Sequence, residues 1–85
     1  MEAKVFYVIS RVFDETETKI AHIFEYEHEA AYKYSGLPKS DYLLERCVFN
    51  YRGDIISIDV ADELEDDEEN DFYVPFWRNV EVNGD

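Results

Sequence analysis

Eighty-five residues, 46% of them hydrophobic and 16% aromatic, suffice for one domain, 1–85, with a single modest core, and leave no room for a second. Twenty-one Asp and Glu against eight Lys and Arg give a formal charge of -13, which sets the chain against direct contact with nucleic acid or anionic membrane. The single cysteine, Cys47, excludes an intramolecular disulfide, and the opening MEAKVFYVIS has neither a basic n-region nor a long apolar h-region, so a cytoplasmic protein is expected.

Residues 4–13 (KVFYVISRVF) are β-branched and aromatic, free of Gly and Pro, and read as a strand. The polar run DETETK, 14–19, has the length of a longer hairpin loop, and IAHIFEY, 20–26, is again β-prone, so the two strands are expected to pair antiparallel. The texture changes at Glu27. In EHEAAYKYSG the residues Ala30, Ala31 and Tyr34 share one helical face, and Gly36 stands where a helix stops, with Pro38 beyond it. Residues 41–51 and 55–60 flank Arg52, Gly53 and Asp54, a tight-turn sequence, and form a second expected hairpin. Then eight of the ten residues 62–71 are acidic, and between Gly53 and Trp77 ten carboxylates face no Lys or Arg. Strand texture returns in FYVPFW, 72–77, and VEV, 80–82, where Pro75 marks an edge strand or a bulge. The expected fold is α+β: an antiparallel sheet of four to five strands with one short helix packed on one face, in the order ββαβββ.

No catalytic or metal-binding pattern emerges. His28 and Glu29 open like the zinc-helix motif HExxH, but Tyr32 stands where the second His belongs. The acidic segment lacks the Gly that an EF-hand loop needs at its sixth place. Cys47 lies within a strand sequence with no base nominated beside it, Ser35 and Ser40 read as caps, and the three glycines are isolated rather than gathered into a phosphate cradle. The triplet Arg52, Gly53, Asp54 is read as a hairpin turn. No enzyme, no metal and no cofactor is therefore expected.

The succession KVFYVIS, polar hairpin, IFEYEHEA, AAYKYSG, YLLERCVF resembles a group of small phage and bacterial ββαβ domains, mostly of unknown function, over about the first fifty residues. The resemblance implies a compact ββαβ unit and no particular activity. By type, a small acidic chain with an aromatic-rich core also resembles the DNA-mimic proteins that phages use in host takeover. That likeness implies an inhibitor, acting in the host cytoplasm if phage-encoded, that occupies the DNA-binding surface of a basic host protein.

Charge density agrees with this second resemblance. Eight carboxylates over ten residues fall about 4 Å apart if the segment is extended at ~3.3 Å per residue, and about 2 Å apart if it is helical. B-DNA carries a charge about every 3.4 Å along each strand. The acids expected to meet the partner are Asp59, Asp62, Glu63, Glu65, Asp66, Asp67, Glu68, Glu69 and Asp71, with Glu25, Glu27 and Glu29 around the helix start. A histone-like HU-type protein is the first candidate partner, because such a surface reads backbone charge and shape; RNA polymerase and restriction or repair enzymes are others. The alternative is a generic interaction module in which Tyr73, Phe76 and Trp77 make the contact and the acids serve solubility. A homodimer through the edge of the 72–77 strand is also expected.

Overall fold

The structure is a computed structural model, and it describes residues 3–67 and 72–82. Its elements run β1 (Lys4–Val12), β2 (Thr18–Phe24), α1 (Glu27–Ser35), β3 (Tyr42–Phe49), β4 (Ile55–Asp67) and β5 (Phe72–Val82). They form one antiparallel five-stranded sheet in the order β2-β1-β3-β4-β5, with the helix on one face, as the chain-order reading expects. Because β2 and β3 both run antiparallel to β1 and flank it, they are parallel to each other. Parallel strands need a crossover connection, and α1 supplies it, which is why the helix lies over the sheet rather than beyond its edge.

The helix is held by composition more than by caps. Tyr26 precedes it in extended conformation without a side-chain cap, while Glu27 and Glu29 in the first turn and Lys33 in the last complement the macrodipole. Ala30, Ala31 and Tyr34 are buried, and the two alanines let the helix approach the strands closely. Tyr34 donates its hydroxyl hydrogen bond to the carbonyl of Tyr42 at 3.3 Å. The core beneath the helix is small: Ile9, Ala30, Tyr34, Leu44 and Ala61, with Tyr7, Phe24, Leu64 and Trp77 packed around it.

Both short connections are built by side-chain acceptors. Asp14 Oδ1 takes hydrogen bonds from the backbone N–H of Thr16 and Glu17 and from the Thr16 hydroxyl, which hold its carboxyl below the usual range. At the β3–β4 turn Asn50 Oδ1 accepts from the N–H of Arg52 and Asp54, and Gly53 takes φ 89°, a conformation a side chain would resist. Gly36, by contrast, has φ -89° and needs no left-handed freedom; its N–H bonds the Lys33 carbonyl at 3.2 Å.

Register shifts interrupt three of the four strand pairings. Ile9 faces His22 while Ser10 faces Ile20, leaving Ala21 over. Val48 faces Ser57 while Phe49 faces Ile55, leaving Ile56 over, and in the β4–β5 pair shifts occur between Ile58 and Asp59 and between Ala61 and Glu63. Each such bulge resets the alternation, so residues three apart reach the same face. The strand expected over 55–60 extends to Asp67, taking in most of the acidic segment, and 72–82 is one continuous strand rather than two pieces.

Candidate protein-binding surface

β3 pairs with β4 only from Ile55 to Val60. Beyond Val60 the register pairs Ala61 with Trp77 and then, past the bulge, runs from Glu63 opposite Phe76 to Asp67 opposite Phe72, so β4 and β5 continue as a two-stranded arm. The arm has one face turned to the helix side and the other open to water, and acidic residues are tolerated on the open face. Leu64 and Pro75 oppose each other on the inward side, Leu64 packing against the core, while Glu63 and Glu65 are exposed. Pro75 sits on the outermost strand, where its missing N–H interrupts no ladder on the solvent side.

A polar network roots the arm. Trp77 donates its indole N–H to Glu27 Oε1 at 2.6 Å, joining the arm to the first turn of α1. The Arg46 guanidinium lies 4.8 Å from the centre of the Trp77 ring and donates through Nε and a terminal nitrogen to Asp59 Oδ2 at 3.0 and 2.9 Å. Asn79 donates to the other carboxylate oxygen of Asp59 at 2.8 Å. The Asn79 bond first, and then Arg46, hold the Asp59 carboxyl below the ordinary carboxylate range. Tyr7 completes the set with its ring 5.9 Å from Trp77, and burial raises its pKa.

These contacts redistribute the acids expected to meet a partner. Asp59 is a correction: it is 7% exposed and serves as the counter-ion of Arg46, so it is not displayed. Asp62 is exposed but carries Arg78, whose Nε donates to both of its oxygens. Glu27 is half-buried under Trp77, whereas Glu25 and Glu29 beside it are exposed. Glu27 and His28 line a small cleft of about 290 Å³ with Tyr73 and Val74 of β5, which sets the helix start against the arm. Glu65 and Asp66 lie opposite Val74 and Tyr73 in register, so the acids of β4 and those around the helix start share one end of the molecule. Glu68, Glu69 and Asp71 lie outside the described residues.

The expected aromatic surface is also redistributed. Trp77 faces inward, onto the core and into the network, and Tyr73 is half-buried, while Phe76 is 49% exposed. The network itself escaped the sequence reading, although a signal was present: a hairpin closed at Gly53 sets Arg46 and Asp59 nearly opposite each other, and opposite charges across a strand pair are a stabilising combination.

Elsewhere, Cys47 is buried, and burial, followed by the charges of Glu45 and Asp59, pushes its thiol up, away from the reactive thiolate. Among the described residues no group of three His, Cys, Asp or Glu is placed to hold a metal ion, and no helix is long and apolar enough to cross a membrane. Comparison with protein-family models, curated proteins and solved structures finds no match to this chain.

Proposed function

We propose that the chain is a DNA mimic, a non-catalytic inhibitor that lays its acidic end on the DNA-binding surface of a basic protein and excludes the duplex. A histone-like HU-type protein is the first candidate, with RNA polymerase and restriction or repair enzymes as others. The observation that supports this reading is the bond from Trp77 to Glu27, which fixes the acidic arm against the acidic helix start. Alternate residues on an extended strand stand ~6.6 Å apart, the axial rise of two ~3.4 Å steps of one DNA strand, so the arm is comparable with DNA in linear charge density. Glu63 and Glu65 have that spacing. The two arginines nearest the arm, Arg46 and Arg78, are tied to Asp59 and Asp62, so neither offsets the acids farther out.

A fixed array of carboxylates acts by competition: it engages the Lys and Arg that would otherwise neutralise phosphates, and the complex weakens as salt rises. The aromatic-module alternative is less favoured because Trp77 is turned inward and Phe76 is left as its exposed member. The test is competition against a labelled duplex bound to a histone-like protein, at two salt concentrations. The variants are Phe76→Ala and a five-fold neutral chain, with Glu65, Glu68 and Glu69 changed to Gln and Asp66 and Asp67 to Asn. The neutral chain should keep its fold and lose competition by about tenfold or more, while Phe76→Ala competes as wild type does. A neutral chain that competes as well as wild type overturns the reading, and loss by Phe76→Ala alone puts the aromatic surface in its place.

A further inference from the structure

We propose that the chain is a homodimer, formed by apposing the sheet face opposite α1 to the same face of a second copy. That face carries Phe6, Val8, Ile20, Ile23, Phe49 and Ile58, which line an open depression of about 430 Å³. Among the described residues no element packs over it, since α1 lies on the other side with Ile9, Leu44 and Ala61. Ile20 is 65% exposed and Ile23 59%, and the bulge at Ala21 is what brings both to this face. Contiguous apolar surface of this kind marks an interaction site rather than ordinary solvent-facing sheet.

The choice of a second copy as occupant rests on area, shape and charge. A compact monomer of 10.1 kDa is expected to expose about 5,300 Å². This chain exposes 6218 Å². That excess belongs to the whole chain, arm included; the broad face itself, 38 × 33 Å across, is wide enough to supply the ~800 Å² that each partner contributes to a standard interface. The principal extents, 38 × 33 × 19 Å, describe a slab two layers thick. Face-to-face packing of two such sheets, ~10 Å apart, would give both an inner layer. The depression contains a single carboxylate, Glu45, and its lining stops at Ile58, short of the acidic arm. Glu63 and Glu65 alternate with inward-facing Leu64 and so project from this same face beyond Ile58; a two-fold contact confined to the depression leaves them outside it, where repulsion beyond ~8 Å is screened at physiological salt. The proposal is independent of the mimic reading, although a dimer would present two arms.

Sedimentation equilibrium over a wide concentration range tests it, with wild type, the double variant Ile20→Glu/Ile23→Glu and Glu45→Gln, each checked for fold by circular dichroism. Wild type should reach twice the 10.1 kDa chain mass, and raising salt should tighten the dimer because net repulsion is screened. The double variant, altered at two exposed positions, should stay folded and dissociate at least about a hundredfold more readily, and Glu45→Gln should associate more tightly. A chain that stays monomeric throughout overturns the proposal. So does a dimer that ignores the double variant, which would be paired through the outer edge of β5, or one that salt dissociates.

Discussion

The two faces of the sheet differ in what covers them: α1 lies over one, and among the described residues no element lies over the other. Under α1 the sheet buries a small apolar cluster and beside it the carboxylate of Asp59, which half-buried Arg46 and exposed Asn79 both engage, while half-buried Glu27 accepts from Trp77. On the opposite face Ile20, Ile23 and Ile55 stand open to solvent beside half-buried Phe6 and Phe49, with one carboxylate, Glu45, among them. A chain of this length can build only one core, and here the polar network takes up part of the helix-side layer. Its task is mechanical: it ties helix start, arm and central strand at one place, so the acids beyond it have a fixed attitude. The apolar potential of the other face is left over for contact between molecules.

The largest expected effect contrasts the faces directly. Leu44 is fully buried under the helix, and Leu44→Ala should cost about 3 kcal/mol, a large part of the ~5–10 kcal/mol available to a small domain. Ile20→Ala, on the open face, should change the stability of dilute protein by less than about 0.5 kcal/mol. Urea unfolding measures both. If Ile20→Ala is nearly as costly as Leu44→Ala at high dilution, the open face is already covered within one chain and the contrast is false. A cost for Ile20→Ala that grows with protein concentration would sharpen it.

The order of elements and the helix with its buried residues were legible because they rest on local signals: β-branched runs, polar turns, and a change of period at Glu27. The face of each strand residue was much less so. Ile20 and Ile23, Ile55 and Ile58, and Ala61 and Leu64 are pairs separated by three, a spacing that simple alternation puts on opposite faces and that the bulges at Ala21, Ile56 and Asp62 bring to one. Strand character in 61–67 was masked by its charge, since Asp and Glu are poor strand formers on intrinsic preference; pairing with β5 overrides that preference. The turning of Asp59 from displayed acid to buried counter-ion depends on Arg46, Asn79 and Trp77 from two other strands, and no local window contains them.

A middle-sized effect tests whether that network roots the arm. Asp59→Asn leaves the Arg46 guanidinium without its counter-charge and should cost about 2 kcal/mol at neutral pH. The folded-state pKa of Asp59 lies below its unfolded value. Its contribution is therefore present above the ordinary Asp value and is lost as pH falls through the depressed folded value. Stability of wild type should thus converge on that of Asp59→Asn in strong acid, and thermal unfolding across the acid range would reveal it. A constant gap between the two at all pH values would mean that Asp59 acts by packing alone.

The smallest effect belongs to the open face and has the opposite sign. Glu45 lies between Val8 and Val60 in register, and burial pushes its carboxyl above the ordinary value. A carboxyl raised in the folded state favours folding when protonated, so its penalty appears as pH rises past the unfolded value and is complete above the folded one. Glu45→Gln should remove that penalty, raising the stability of dilute protein at neutral pH by about half a kcal/mol, a gain held down by solvent screening of a half-exposed site. In acid the two proteins should be equal. Unfolding measured at both pH values decides the matter: a loss at neutral pH would mean that Glu45 is a partnered group rather than an isolated acid in an apolar field, and the open face would then be more polar in character than its lining residues imply.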